Sequence, residues 1–291
     1  MIAALLLAAA LNVTAASRSQ RPGEVVVLTI RTTESVQTLD VRAFGRAVIP
    51  FKIDARTWRA IVGIDLATAP GRYTVSIDAD PGSAHATYTL AVTARTFRTR
   101  TLTVDPAFVT PPASAEERIR REAALIDAAY RGSPPERLWT SPFVRPVPQP
   151  ANSAFGTRSI FNGEPRNAHT GADFMSPAGT PIGAPNAGRV VIARDLYFSG
   201  NTVLIDHGLG LFSLLAHLSA FDVHEGDLVS PGQIVGRVGA TGRVTGPHLH
   251  WAVRANGARV DPLSLLAVLG TGQGTGDKGQ KTKDKEPGTQ N

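Results

Sequence analysis

The sequence contains no cysteine, 2 methionines and only 6% aromatic residues. Without cysteine there is no disulfide framework, no thiolate metal site and no cysteine nucleophile, so any metal must be held by histidines and carboxylates. Lysine is nearly as scarce, with none between Lys52 and Lys278. That gap excludes a lysine-tethered acyl carrier, although the stretch Gly226-Asp227-Leu228-Val229-Ser230-Pro231-Gly232-Gln233 resembles the hairpin of lipoyl and biotinyl domains. The apolar opening, residues 1–16, is too short to span a bilayer comfortably and ends in small residues. It reads as a signal peptide for export, with an uncleaved anchor as the alternative because no Lys or Arg lies within it.

Glycine and proline are plentiful at 28 and 21 residues, and with 42% hydrophobic residues they favour short strands and turns, hence a mostly β fold. A chain of 291 residues has room for two modest domains. Lys and Arg outnumber Asp and Glu by 30 to 24, but the excess is spread thinly and the lysines gather near the C-terminus. The pattern argues against nucleic acid as a partner and leaves room for weak contact with anionic envelope polymers. Oligomeric state leaves no mark in the sequence.

The period-2 alternation of β-branched and polar residues predicts strands over Glu24 to Ile30, Val36 to Val41, Trp58 to Ile64, Tyr73 to Ile77 and Thr87 to Val92, separated by turns such as Ala69-Pro70-Gly71 and Asp80-Pro81-Gly82. This spacing predicts an immunoglobulin-like β-sandwich over residues 17–104. Residues 105–150 read as a connector. Ser114 and Glu117 suggest a capping box opening a helix to Tyr130, with Ile119, Ala123, Ile126 and Tyr130 on its packing face, and six prolines from Ser133 to Pro150 suggest an extended link. A second β-rich domain is expected over residues 151–269, with strands at Arg189 to Ala193, Thr202 to Asp206, Leu211 to His217, Ile234 to Val238 and His248 to Val253. Residues 270–291 hold too little apolar surface to fold and read as a disordered tail.

Six of the seven histidines fall between positions 169 and 250. His169-Thr-Gly-Ala-Asp173 carries two donors an even number of residues apart, and Gly171 and nearby Pro177 favour an extended segment, which puts both on one face. His248 and His250 alternate around Leu249, so on a strand they point the same way. His217 closes an apolar strand. Taken together these residues supply imidazole nitrogens, one carboxylate and spare histidines, a set that suits a catalytic zinc with three protein ligands and an open position better than a structural zinc, which usually closes its shell with four. His85, His207 and His224 read as turn or surface residues.

The stretches Phe155-Gly156-Thr157-Arg158, Phe161-Asn162-Gly163, His169-Thr-Gly-Ala-Asp173, Ala216-His217-Leu218 and Gly246-Pro247-His248-Leu249-His250-Trp251 resemble, in order, the motifs of the LytM or lysostaphin type of zinc peptidase, the M23 family. The resemblance spans about residues 155 to 262 and implies a barrel-sandwich hybrid domain that hydrolyses peptide crosslinks of peptidoglycan outside the cytoplasm or in the periplasm. It implies that His169, Asp173 and His250 ligate Zn2+, one ion per chain, and that His217 and His248 act on the water and the developing oxyanion. The alternative within that family is a silent or occluded protein that binds wall and regulates another hydrolase, with the connector as the occluding element. One departure is Leu215, where many relatives carry Tyr two residues before the histidine, and it is expected to alter the cleft wall.

Overall fold

The computed structural model describes residues 10–80, 84–103, 111–152 and 155–270. The protein is mostly β. Its N-terminal part stacks two four-stranded antiparallel sheets, one ordered β1 (Leu11–Ser17), β2 (Val25–Thr32), β6 (Thr57–Gly63), β5 (Phe51–Lys52), the other β4 (Arg46–Val48), β3 (Leu39–Ala43), β7 (Gly71–Ala79), β8 (Ala84–Val92). Val26, Leu28 and Ile30 on β2 face Val41, Val75, Ile77 and Leu90 of the opposite sheet. The preceding Val25 belongs to a different core, shared with the C-terminal domain. This is why β2 is buried on both faces instead of alternating as a half-solvated strand does.

The sandwich begins earlier than the sequence suggests. All seven residues of β1 pair with β2, from Leu11 opposite Thr32 to Ser17 opposite Val26. Residues 11–16, read as part of a signal peptide, therefore form an edge of the sheet, and cleavage after Ala16 would remove most of that strand. Residues 1–9, Pro81 to Ser83 and the tail from 271 lie outside the described residues.

At the other boundary, β9 (Thr99–Leu102) leaves the sandwich to pair in parallel with β10 (Arg158–Phe161), which forms a hairpin with β11 (Glu164–Pro165). Helix α1 spans Ala113–Arg131. Pro112 occupies its N-cap and no side chain caps it, so the expected capping box does not form and Ser114 sits inside the first turn. The packing face also turns: Leu125, Ile126, Ala129 and Tyr130 cover Ile192, Leu204 and Phe212 while Ala123 is exposed. The proline-rich stretch after α1 is built into the domain. Trp139, Phe143 and Val147 enter the core, and Leu138, Phe143 and Val144 donate backbone bonds to His207, Leu269 and Pro185. Proline lacks an N–H but leaves its neighbours free to pair, so such a segment can line a sheet without joining it.

The C-terminal domain is a nine-stranded sheet that runs β12 (Gly171–Phe174), β19 (Leu249–Ala255), β16 (Leu211–Phe221), β15 (Gly200–Asp206), β14 (Gly188–Leu196), β17 (Leu228–Val229), with β13 (Pro181–Gly183), β18 (Ile234–Val238) and β20 (Ala258–Val260) attached. Helix α2 (Pro262–Leu269) closes the fold, its N-terminus capped by Asp261 accepting from Leu263 N–H. Asp261 and Glu24, both buried, also receive Arg18 at 2.8 and 2.6 Å. Together with Ser264 bonding Glu24 at 2.8 Å and Arg259 pairing Asp65 at 2.6 Å, these contacts fix the sandwich against the C-terminal domain. Buried charges are tolerated there because each has a partner.

Candidate metal centre and active site

Strands β12, β19 and β16 lie side by side, with Asp173 directly opposite His250 and His250 directly opposite Ala216. One residue beyond Ala216 comes His217, whose φ of 68° is left-handed. That conformation costs about 1–3 kcal/mol for a non-glycine residue. It is held by the His217 N–H donating to Ser199 O at 2.9 Å, and it swings the imidazole out of the strand's alternation toward β19. His169, just before β12, is fixed by its N–H to Thr157 O and its carbonyl to Gly156 N–H.

The consequence is a tight triangle of donor atoms. His169 Nε2 lies 2.9 Å from His250 Nδ1 and 3.0 Å from Asp173 Oδ1, and His250 Nδ1 lies 3.0 Å from Asp173 Oδ1. Tetrahedral bonds of about 2.0–2.1 Å put ligand atoms roughly 3.3 Å apart, so this borderline nitrogen and oxygen set fits a zinc ion. Gly171 makes the approach possible. A Cβ there would stand 2.4 Å from Trp251 O and 2.7 Å from His250 Cε1.

The ionisation states agree with a ligand set. Burial alone would raise the Asp173 pKa, but hydrogen bonds from His169 and His250 prevail and hold the carboxyl well below its usual range. Burial pushes His250 down against the pull of Asp173, which favours the neutral ring that a metal requires.

Beside the triangle stand His217 and His248, ring centroids 4.9 Å apart, with His217 6.0 Å from the His250 ring. His217 Nδ1 donates to Thr241 O at 3.0 Å and His248 Nδ1 donates to Gly246 O at 2.9 Å. A carbonyl can only accept, so in the neutral form of either ring Nε2 carries the lone pair. Burial, aided by His250, pushes His217 down to about 4 against the Thr241 bond.

The loop that supplies Thr241 is itself pinned. Thr241 Oγ1 donates to Leu218 O at 2.7 Å and accepts from Asn201 N–H at 2.9 Å. Gly242 is left-handed at φ 76°, and a Cβ on it would stand 2.3 Å from Gly200 N. The neighbouring turn is tied to α1, where Glu122 accepts from Tyr197 N–H at 2.7 Å and Arg118 from the same helix pairs with Asp195 at 2.8 Å.

All five residues singled out from the sequence therefore meet, with Leu249 buried behind them. Thr241, Ser199 and Glu122 were not anticipated. The density of glycines at 239, 242 and 246 was a signal for the Thr241 loop, whereas nothing local marks Glu122. Three expectations change. Leu215 is fully buried opposite Trp251 and Val203, so it lines the core and not the cleft. His207 is no surface residue: it is fully buried, bonded to Ala187 O at 2.8 Å and Ser213 Oγ at 2.9 Å. His85 lies on β8, 2.7 Å from Asp78, while His224 stays exposed in its turn.

Fold and site define the class, a β-rich protein with a His–Asp–His centre suited to a metal and flanked by two further histidines. The model of Peptidase family M23 matches residues 167–262. A crystal structure of a putative peptidase M23 from Pseudomonas aeruginosa superposes with a TM-score of 0.69 at 35% identity, covering 86% of this chain and 96% of that one. The chain thus belongs to peptidase family M23. Over shorter stretches it is 46% identical across 97 residues to the DD-carboxypeptidase/endopeptidase Mpg of Neisseria meningitidis, and 43% identical across 95 residues to the peptidoglycan DD-endopeptidase ShyA of Vibrio cholerae. Each match covers 33% of this chain and 22% of the relative's length.

Proposed function

We propose that this protein is a zinc metalloendopeptidase that hydrolyses peptide crosslinks of bacterial peptidoglycan. The observation that carries the reading is the triangle of His169, Asp173 and His250 donor atoms, 2.9–3.0 Å on each edge, standing beside two imidazoles whose Nδ1–H groups are held by backbone carbonyls. Zinc held there supplies Lewis acidity and lowers the pKa of its water from 15.7 toward about 7.

The chain's own groups do the rest. The Nε2 lone pair of His217 or His248 takes the water proton as the water oxygen bonds the scissile carbonyl carbon, the resulting imidazolium donates a hydrogen bond where negative charge develops, and that proton then passes to the departing amine nitrogen as the C–N bond breaks. Both rings are oriented before substrate arrives, because their Nδ1–H groups are already engaged by backbone carbonyls. Asp173, whose carboxyl is held well below its usual range, would supply the anionic ligand of the set.

The substrate assignment is supported by the family and by the relatives named as peptidoglycan endopeptidases. Export belongs to the proposal, since that polymer lies outside the cytoplasmic membrane, and the apolar residues 1–10 support it. A silent regulator is the less favoured reading because all five site residues are present. Mass spectrometry of fragments released from purified peptidoglycan tests the proposal: new peptide termini are expected with zinc, none with chelator, and recovery on adding zinc back. Intact crosslinks after incubation with zinc-loaded protein would overturn it.

A further inference from the structure

His169 differs from the other two corners of the metal triangle. Asp173 and His250 are paired strand residues of the nine-stranded sheet, whereas His169 precedes β12 and its backbone is held by residues 156–157. Its N–H donates to Thr157 O at 2.9 Å and its carbonyl accepts from Gly156 N–H at 2.7 Å. Whatever fixes that short segment also fixes the ligand.

Part of what fixes it comes from the N-terminal domain. After β8 the chain crosses to the C-terminal domain, where Arg98 O accepts from Arg158 N–H at 2.8 Å and β9 takes up its parallel register with β10. One residue before Arg98, Phe97 lies against Gly156, where a Cβ would stand 2.0 Å from Cδ1 and 2.1 Å from Cε1 of the ring. Gly156 also has a φ of 78°, so both the left-handed backbone and the close approach require glycine. Phe97 meets the buried Phe155 edge-on, with ring centroids 6.3 Å apart. The guanidinium of Arg95 lies 5.0 Å from the first ring and 5.7 Å from the second. Arg95 is anchored in turn, donating to Pro22 O at 3.1 Å, Glu24 at 3.4 Å and Asp261 at 3.5 Å. Glu24 and Asp261 are buried carboxylates, one from each domain. Contacts therefore run from the ion cluster between the domains, through Arg95 and Phe97, to Gly156 and the carbonyl of His169.

We propose that Arg95 and Phe97 are positioning residues for the metal ligand His169, so that the N-terminal sandwich takes part in holding the metal. The inference rests on the reading of His169, Asp173 and His250 as a zinc site and deepens it. A packed ring transmits displacement because interiors have little free space into which to relax. A ligand that loses such support must be ordered at the moment of binding, which lowers metal affinity. The sandwich is then a working part of the centre and not a spacer.

The test measures the zinc affinity of full-length, metal-free protein by competition with a chromogenic chelator, beside the thermal midpoint of the same metal-free protein. Phe97→Ala is expected to weaken zinc binding about tenfold or more. Phe97→Tyr keeps the ring edge that Gly156 meets and is expected to bind zinc as wild type does. Val41→Ala opens a cavity between the two sheets of the sandwich and separates positioning from stability. It is expected to lower the thermal midpoint and leave zinc affinity unchanged. Should Phe97→Ala not fold, Arg95→Lys keeps the charge beside Glu24 and Asp261 and loses the flat group over both rings, and it is expected to weaken zinc binding in the same sense. Wild-type affinity in folded Phe97→Ala or Arg95→Lys, or an equal loss in Val41→Ala, would overturn the positioning role alone. A wild-type protein that takes up no zinc would overturn the metal reading and this inference with it.

Discussion

His217 donates its Nδ1–H to the carbonyl oxygen of Thr241 at 3.0 Å, across 24 residues of sequence. This one bond fixes the tautomer and the tilt of a side chain whose own backbone is left-handed. The same loop residue ties β15 and β16 together through its hydroxyl. Orientation of the proposed base is thus a property of the folded loop, set before a substrate binds.

Separating metal binding from proton transfer follows directly. Asp173→Ala and His250→Ala are expected to lose both zinc and hydrolysis, whereas His217→Ala retains zinc and loses about 10²–10⁴ in kcat. Metal analysis by mass spectrometry beside turnover on a crosslinked peptide checks this, and full activity in His217→Ala would remove His217 from the mechanism.

Gly171→Ala should act like a ligand mutation although residue 171 ligates nothing. The added methyl group meets backbone at Trp251 O and the ring of His250, and neither can yield without moving β19. Zinc affinity is expected to fall about 10–100-fold, the range for losing a ligand's support, which competition with a chromogenic chelator measures.

Glu122 on α1 acts at a distance. Its carboxylate holds Tyr197 N–H, in the turn whose Ser199 carbonyl holds His217 N–H. Glu122→Ala is expected to lower kcat about tenfold with KM and bound zinc little changed, since small misplacement of a catalytic group is costly. Glu122→Gln keeps the acceptor and should restore most of the rate. A Gln variant as slow as the Ala variant would assign the effect to the ion pair with Arg118 instead.

Burial pushes His207 down to about 4, opposed by its bond to Ala187. The unfolded chain titrates near 6.5 and so binds the extra proton first. The stabilisation is complete above pH 6.5 and is lost as pH falls from there to about 4, by about 3 kcal/mol in all. Asp206, raised by burial, works in the opposite direction. Denaturant unfolding from pH 7 to 4 should show a flatter slope for His207→Gln than for wild type; identical slopes would refute the assignment.

Local pattern made much of the protein legible. Alternation placed β7 and β8 within a few residues, because a strand half-buried in a sandwich must alternate, and β-branched runs did the same for β2 and β6, which are buried on both faces over much of their length. It missed β1, since Leu11–Ser17 looks equally like the end of an export signal. It read the prolines after α1 as a link, although Phe143 and Val147 are buried in the core. A side chain's period reports that it faces something apolar and not which partner provides it.

The same division runs through the site. The sequence by itself determined the donor set, because with no cysteine only histidine and carboxylate remain and the spacings of His169, Asp173, His248 and His250 put them on common faces. Only the tertiary structure decided their company. Asp173 meets His250 across 77 residues, His217 meets Thr241 across 24, and Glu122 meets Tyr197 across 75. His207, indistinguishable from a turn residue in sequence, became a buried bridge. Strand register and loop docking set these contacts, and they arise from packing between segments whose local sequences carry no record of each other.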